Sequence, residues 1–310
     1  MNPRKEEFLK IFSSIDFKSI KDHPNILIAA RFWEEDRYCA AKTFYKFMRY
    51  IDDMIDDYKA ANRNIGPAEK ELFLSNVDKW MKVVIASQDC NPEQKELLHT
   101  IETFLIPAWP IEAFARSMIY DINNDGFPTL TSFLEYSQGA SVAPAAIFVH
   151  LNGLCRNNGK FELPAFDVRE VATPCAIFSY LVHIIRDFQK DQMNNLNYFA
   201  DDIAAKFRLS RHDLNKIAHE QSCGENFRGM IKVYHDLADE YRRKTYEMIE
   251  KIRDLHEPRY QLSLEIIFEL YLMVFERIDI KNGNFKTSDL NPGPDETKER
   301  VFQTIQKFCR

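Results

Sequence analysis

The sequence predicts an all-α protein that folds as one domain. Apolar residues recur at spacings of three and four along most of the 310 residues, and alternating, strand-like runs are scarce. Only 9 glycines occur, fewer than turn-rich all-β folds require, and neither common nucleotide-binding glycine motif is present. No repeat, low-complexity tract or shift in composition divides the chain, so we expect a single domain over residues 1–310.

The positions of proline and glycine set the predicted helix ends. Most of them fall between the periodic segments, where they act as turn or breaker residues. Pro144 and Pro174 instead lie inside periodic segments and should kink or restart the helix there. The predicted helices are residues 3–13, 25–31, 34–59, 67–86, 91–105, 109–123, 129–153, 166–191, 210–220, 225–254, 258–279 and 296–308.

Charge and composition argue against several classes of function. The net charge is −6 and no long basic run occurs, so nucleic acid is not expected as a partner. The chain begins with a charged segment rather than a signal peptide, and its most apolar stretch, residues 262–278, contains three glutamates, so no transmembrane span is predicted. The 6 cysteines are scattered without a CxxC pair, which is typical of reduced thiols in a cytoplasmic protein.

The segment DDMIDD carries an unusual density of negative charge. Asp52 and Asp56 are four residues apart, as are Asp53 and Asp57, so each pair lies on one helix face, where like charges repel. One interpretation is a solvated helix face, with basic neighbours such as Lys59 as counter-charges. The other is a site for a cation.

A second acidic pair favours the cation site. Asp187 and Asp191 are again four residues apart on a long, largely apolar helix. Two such pairs on two helices can face each other across a bundle, and opposed carboxylates repel strongly unless a divalent cation lies between them. Mg²⁺ prefers oxygen ligands, takes one or two carboxylates and bridges to phosphate oxygens. We therefore predict a Mg²⁺–diphosphate site, in which Arg49, Arg186 and Lys190 neutralise the remaining phosphate charge.

Taken together, these segments resemble the squalene/phytoene synthase family, whose members condense two prenyl diphosphates head to head. The family's first motif, an aromatic residue and an arginine before DxxxD, is similar to YKFMRYIDDMID, and its RDxxxD motif to RDFQKD. The resemblance covers about residues 23–280 and includes segments between and after the two motifs. The positions in register are Tyr45, Arg49, Asp52, Asp53, Asp56, Asp121, Thr131, Tyr136, Arg186, Asp187, Asp191, Tyr198 and Tyr271.

The resemblance implies a fold and a set of roles. The implied fold is an isoprenoid-synthase-type helical bundle whose central apolar cavity shelters carbocations beside aromatic rings. The implied metal ligands are Asp52, Asp56, Asp187 and Asp191, with His183 at a position where the family has asparagine. The residues implied in substrate binding are Tyr45, Arg49, Asp53, Arg186, Tyr198 and Tyr271. The implied catalytic set is the same four aspartates and Tyr136.

The implied reaction joins two prenyl diphosphates, farnesyl diphosphate in the first instance, through presqualene diphosphate to a squalene-type C30 product. NADPH would be the reductant if that product is squalene. A hydroxysqualene synthase, a phytoene or dehydrosqualene synthase, and a non-catalytic protein that binds a prenyl lipid remain open, because Tyr180 and His183 stand where the family has glutamine and asparagine. Contact with a membrane, for release of an apolar product, is expected to be peripheral.

Overall fold

The computed structural model describes residues 3–19, 25–62, 64–86 and 91–310. A short antiparallel hairpin of β1 (Cys155–Asn157) and β2 (Lys160–Glu162) is the strand content of this part of the chain, which confirms the all-α class. Residues 23 and 24 of the predicted motif range, and Cys90, lie outside the described residues. The helices are α1 (Pro3–Ser13), α2 (Asn25–Ala30), α3 (Glu35–Ala61), α4 (Pro67–Ala86), α5 (Pro92–Thr103), α6 (Ala108–Asn123), α7 (Leu130–Ser137), α8 (Ala143–Gly153), α9 (Val168–Arg186), α10 (Phe188–Met193), α11 (Asp201–Lys206), α12 (Arg211–Glu220), α13 (Glu225–Lys251), α14 (Pro258–Phe275), α15 (Thr287–Leu290) and α16 (Pro294–Phe308).

Helix α9 is the centre of the bundle. It packs against α8, α13 and α14, so apolar residues on nearly all of its sides are buried. Helix α13 runs antiparallel to it. Phe227, near the start of α13, contacts Phe188 just beyond the end of α9 with ring centroids 4.7 Å apart, and Lys251, at the end of α13, bonds Glu170 in the first turn of α9 at 2.8 Å. Among the described helices, α9 alone is long and apolar enough to cross a membrane, and 56% of that stretch is buried in the bundle, as expected of a core helix.

Helix α3 is amphipathic and carries the first acidic motif. Its apolar positions recur at three- and four-residue spacing and pack against α5, α6 and α8. This packing sets the rotation of the helix about its axis. As a result, Asp52 and Asp56 lie beside buried positions rather than opposite them. The buried apolar residues of α3 include Phe44, Phe47, Met48, Ile51 and Ile55.

The helix predicted over residues 129–153 is interrupted by a π turn at Gln138–Val142. Gly139 permits a close approach to α6, because a Cβ atom there would lie 2.1 Å from a backbone oxygen and 2.1 Å from Ser117 Oγ. The Ser117 hydroxyl in turn donates to the carbonyl oxygen of Tyr136 at 2.9 Å. π turns widen a helix locally and are frequent beside functional sites.

The two internal prolines behave differently from each other. Pro144 lies in the first turn of α8, where the helix restarts as predicted. Helix α9 continues through Pro174, so the helix does not restart there, and the alternative of a kink stays a prediction. The segment predicted as one helix over 166–191 instead divides at Asp187, which has φ −94° and ψ 5° and separates α9 from α10. The short helices α11 and α15 and the hairpin were not predicted.

Candidate active site

A cavity of about 440 Å³ opens between α3, α9, α10, α13 and α14. Its two ends differ in chemistry, because one is lined by charged side chains and the other by alkyl groups. The charged mouth includes Tyr45, Arg49, Asp52, Asp53, Asp56, Asp57, His183, Asp187, Lys190 and Asp191. The apolar end includes Val171, Ala172, Met248, Ile249, Ile252, Leu264 and Ile267.

The first acidic motif presents two crowded carboxylates to this cavity. Burial raises the pKa of Asp52 to about 6, against the opposing effect of Arg49, whose Nη1 lies 3.0 Å from Asp52 Oδ2. Burial, followed by the charges of Asp52, Asp121 and Asp191, raises the pKa of Asp56 well above its usual range. Because Asp191 belongs to α10, its effect on Asp56 places the two acidic motifs on opposite sides of one mouth.

The two carboxylates of the second motif differ, because basic side chains pair with Asp187 but do not offset the burial of Asp191. Arg186 Nε and Nη2 donate to the two oxygens of Asp187 at 2.8 Å each, and His183 Nε2 lies 2.7 Å from Asp187 Oδ2. Burial alone would raise the pKa of Asp187, but hydrogen bonds from Arg186 and His183 hold it well below its usual range. Burial, followed by the charge of Asp187, raises the pKa of Asp191 well above its usual range.

The donor set suits Mg²⁺ that arrives with a substrate. Asp52, Asp56 and Asp191 offer oxygen donors whose pKa values are raised by burial and then by neighbouring carboxylates, and the protein's own cations do not offset these effects. Within the described ranges, no group of three His, Cys, Asp or Glu side chains is arranged to hold a metal ion by itself. Mg²⁺ is commonly bound through one or two carboxylates, waters and substrate phosphates rather than in an all-protein cage. The residues present therefore fit a Mg²⁺–diphosphate cluster.

Three tyrosines form an aromatic wall of the cavity. The ring centroid of Tyr180 lies 6.4 Å from that of Tyr136 and 6.1 Å from that of Tyr198. The Tyr136 hydroxyl donates to Asp121 Oδ2 at 2.5 Å. Burial raises the pKa of Asp121 to about 7, against the opposing effects of Lys59 and of the Tyr136 hydrogen bond. The wall is thus backed, through Tyr136, by the carboxyl group of Asp121, whose pKa is raised by burial.

A second cavity, of about 170 Å³, adjoins the first. The two share wall residues at the charged mouth, among them Tyr45 and Asp52, and further in they share Pro144 and Phe148. The rest of the second cavity is lined mainly by apolar side chains of α3, α6 and α8. Two apolar compartments that meet beside Asp52 and Arg49 suit two apolar chains with charged heads.

Comparison with known proteins agrees with this arrangement. The squalene/phytoene synthase family model matches residues 21–293, a range that contains both acidic motifs and the residues of both cavities. The chain belongs to the squalene/phytoene synthase family. Members of this family act on prenyl diphosphates, which accounts for a charged mouth on an apolar cavity. No protein of curated function matches the sequence.

Solved structures of squalene/phytoene synthase type share the fold of the chain. A dehydrosqualene synthase solved with a ligand is 14% identical, with a TM-score of 0.67 over 98% of this chain and 97% of that one. Squalene synthase HpnC from Alicyclobacillus acidocaldarius is 14% identical, with a TM-score of 0.62 over 85% and 89%. YisP from Bacillus subtilis is 12% identical, with a TM-score of 0.55 over 97% and 99%. At these identities the likeness extends to the fold, and the implied isoprenoid-synthase architecture is confirmed.

Most of the predicted site residues line the main cavity. Arg186 differs, because it is 2% exposed, pairs with Asp187 and is not among the residues that line the cavity. In this structure its guanidinium holds Asp187, and Lys190 lines the mouth nearby, so the contact of Arg186 with substrate stays a prediction. The predicted residues that do line the cavity are Tyr45, Arg49, Asp52, Asp53, Asp56, Tyr136, His183, Asp187, Asp191, Tyr198 and Tyr271.

Two residues of the site were not predicted as functional. Asp121 was matched to the family pattern without a role, and Lys59 was interpreted as a surface counter-charge. Lys59 is 7% exposed, its Nζ donates to Asn124 O at 3.0 Å, and its charge lowers the pKa of both Asp56 and Asp121 against the larger effect of burial. The signal for Lys59 was its spacing, because it follows Asp52 by seven residues and Asp56 by three, which places all three on one face of α3.

Proposed function

We propose that the protein is a Mg²⁺-dependent prenyltransferase that joins two molecules of farnesyl diphosphate head to head, through presqualene diphosphate, to a squalene-type C30 product. The observation that carries this proposal is that carboxylates from two acidic helices meet at the mouth of a cavity whose remainder is apolar. The charged end suits a diphosphate and the apolar end suits a prenyl chain. Membership of the squalene/phytoene synthase family supports the same class of substrate.

The mouth residues would bind the metal and the diphosphate. Asp52, Asp56, Asp187 and Asp191 would hold Mg²⁺, with His183 either as a further ligand or as the hydrogen-bond donor that orients Asp187. When bound, Mg²⁺ supplies Lewis-acid stabilisation of the departing diphosphate. The side chains of Tyr45, Arg49 and Lys190 line the same mouth and would contact phosphate oxygens that the metal leaves exposed.

The aromatic wall would stabilise the cation that forms when the C1–O bond of the first substrate breaks. The rings of Tyr136, Tyr180 and Tyr198 present π faces within the cavity, and an allylic cation beside them is attracted by their quadrupoles. Attack by the C2–C3 double bond of the second substrate forms the new carbon–carbon bond. Cyclopropane closure then releases a proton, which Tyr136 would accept while its own hydroxyl proton passes to Asp121.

The fate of the cyclopropyl intermediate determines the product. Loss of its remaining diphosphate would leave a rearranged cation, to which hydride delivery from NADPH would give squalene and addition of water hydroxysqualene, while proton loss from it would give a dehydrosqualene-like triene. We propose the squalene-type C30 product first, made in the cytoplasm and released at a membrane surface. Tyr271, in the cavity wall, has its pKa raised to about 12 by burial and therefore faces these cations as a neutral phenol.

The test is incubation of the purified protein with farnesyl diphosphate and Mg²⁺, with and without NADPH, followed by measurement of released diphosphate and extraction of products. We expect diphosphate release that requires Mg²⁺ and is lost in Asp56→Asn. Asp78→Asn is the matched control, because Asp78 pairs with Lys82 on the outer face of α4 with 58% of its side chain exposed. Absence of diphosphate release from farnesyl, geranylgeranyl and presqualene diphosphates would overturn the proposal and favour a non-catalytic prenyl-lipid-binding protein.

A further inference from the structure

The apolar end of the main cavity lies far from its charged mouth. Helix α9 and the residue that follows it line the cavity from Asp187 at the mouth to Val171 at the other end. These residues are sixteen positions apart, which corresponds to about 24 Å at 1.5 Å per residue. Because α13 is antiparallel to α9, its C-terminal part closes this far end, through Met248, Ile249 and Ile252.

A groove on the outer surface of the protein lies behind the part of α13 that closes the apolar end of the cavity. Its volume is about 690 Å³, and it lies between the first half of α9 and the last third of α13. Thr173 and Pro174 line it from α9, and Tyr241 and Lys244 line it from α13. Met248 lines both this groove and the main cavity. One partly exposed side chain therefore stands between the prenyl end of the cavity and the outer surface.

Ile249 and Ile252, which line the cavity beside Met248, do not also line the groove. Ile249 is 7% exposed and Ile252 is 2% exposed, so both are backed by packed protein rather than by the groove. Shortening either of them would leave a closed void in the core. Shortening Met248 would instead join the cavity to an open groove. Methionine is also unbranched and has three rotatable bonds, so its side chain can adapt to a chain end pressed against it.

We infer that Met248 determines how long a prenyl chain the main cavity accepts, by closing the cavity against the outer groove. This inference rests on the proposed function and adds a specificity-determining residue to it. A chain that reaches Met248 fits, and a chain one isoprene unit longer must displace the methionine side chain or fold back on itself. In Met248→Ala the additional unit can enter the space between cavity and groove.

The experiment measures binding of unreactive S-thiolodiphosphate analogues in the presence of Mg²⁺, so that it does not depend on turnover. We expect Met248→Ala to shift the ratio of geranylgeranyl to farnesyl affinity towards the longer chain by about tenfold or more, because each newly buried methylene group favours binding. Met248→Trp should shift preference the other way, from the farnesyl towards the geranyl analogue. Met81→Ala is the matched control, because Met81 is also partly exposed but lies on α4 and lines neither the cavity nor the groove.

The possible outcomes distinguish failure of this inference from failure of the proposed prenyltransferase function. If the wild-type protein binds none of the analogues, the proposed function fails and the inference fails with it. If the wild type binds the farnesyl analogue and Met248→Ala leaves the chain-length ratio unchanged, the inference alone is wrong. Should Met248→Ala fail to fold, Met248→Trp decides the matter, because an unchanged preference between the geranyl and farnesyl analogues in that variant would overturn the role of Met248. A shift of equal size in Met81→Ala would also overturn it.

Discussion

The two acidic motifs look alike in sequence and differ in how the protein treats their charges. On the first, burial raises the pKa of Asp52 to about 6 and that of Asp56 well above its usual range. On the second, Asp191 behaves similarly, because burial and then the charge of Asp187 raise its pKa. Asp187 is the exception, since Arg186 and His183 hold its pKa well below its usual range despite its burial.

This difference shows that aspartates with the same four-residue spacing have two different roles. Asp187 is neutralised by the protein, so its charge is part of the folded structure before any ligand binds. The other three carboxylates repel one another in the metal-free protein, and this repulsion is relieved by protons or by cations. The site therefore has one carboxylate that the fold orients and three whose charge is available to Mg²⁺.

The largest expected effect is the loss of activity in Asp56→Asn. Diphosphate release should fall by about two to three orders of magnitude, because a group that stabilises charge on the departing diphosphate is removed. The free energy of unfolding without metal should stay equal or rise, because one of several crowded carboxylates becomes neutral. Turnover and urea denaturation of the same preparation check both expectations. A stable Asp56→Asn protein with wild-type turnover would show that this carboxylate takes no part in the chemistry.

The second expectation is that Asp187→Asn, unlike Asp56→Asn, strongly destabilises the protein. Asp187→Asn should lower the free energy of unfolding by about 3 kcal/mol, because the 2%-exposed guanidinium of Arg186 loses its bidentate charged partner. Asp191→Asn, on the same motif, is the control and should be as stable as the wild type or more so. Chemical denaturation distinguishes the two variants. Equal stability of Asp187→Asn and Asp191→Asn would remove the distinction drawn between the motifs.

The third expectation concerns pH. Burial raises the pKa of Asp52 to about 6 and that of Asp121 to about 7, and a carboxyl whose folded pKa is raised binds more protons in the folded than in the unfolded state. The contribution of these two groups to the stability of the metal-free protein should therefore fall as the pH rises from about 4 to about 7, whereas histidines with lowered pKa values, such as His183, act in the opposite direction. Asp121→Asn should flatten this dependence, because the amide does not titrate and still accepts the Tyr136 hydrogen bond.

Mg²⁺ added together with inorganic diphosphate sharpens the same measurement, because the site suits metal that arrives with a diphosphate. It should raise the melting temperature more at pH 8, where the carboxylates are ionised and repel one another, than at pH 5, where protons compete with the metal. Scans with Mg²⁺ and with a chelator at both pH values test this. A Mg²⁺ effect that is larger at pH 5, or a metal-free pH dependence that is the same in the wild type and in Asp121→Asn, would contradict the assignment of these carboxyl groups.

Much of the fold was predictable because its determinants are local. Apolar spacing located the long helices, and Pro144 marked a restart that the structure confirms. The two pairs Asp52–Asp56 and Asp187–Asp191 were correctly assigned to one cavity, because four-residue spacing puts each pair on one helix face and the apolar residues beside them turn that face inwards.

The remaining features depend on contacts between distant segments. The π turn follows from the approach of Gly139 to α6, which no local pattern encodes. Lys59 lies 65 residues from the carbonyl oxygen of Asn124 that it bonds, so its burial could not be read from a charged helix face. The bidentate hydrogen bonds from Arg186 to the neighbouring Asp187, at the break between α9 and α10, were not predicted either, because the sequence pattern does not show where a helix divides.

The smallest effect is expected from His183→Asn. Burial and then the charge of Arg186 lower the pKa of His183, against its hydrogen bond to Asp187, so the imidazole is neutral near pH 7. Its Nε2, which lies 2.7 Å from Asp187 Oδ2, therefore acts as a hydrogen-bond donor. An asparagine amide can donate to the same oxygen, and its own oxygen suits Mg²⁺. Turnover should stay within about fivefold of the wild type and stability within about 1 kcal/mol.

The pH profile of turnover decides between the two roles left open for His183. If the imidazole coordinates metal directly, its protonation abolishes binding, and the fall in activity on the acid side should disappear in His183→Asn. If it orients Asp187, the acid limb belongs to the carboxylates and should persist in the variant. We expect it to persist, because Asp187 already engages Nε2 and Arg186 in the metal-free protein. His183→Leu is the companion variant, and it should lose more turnover than His183→Asn, since it leaves one oxygen of Asp187 without that donor. Loss of the acid limb in an active, stable His183→Asn protein would assign His183 as a ligand instead.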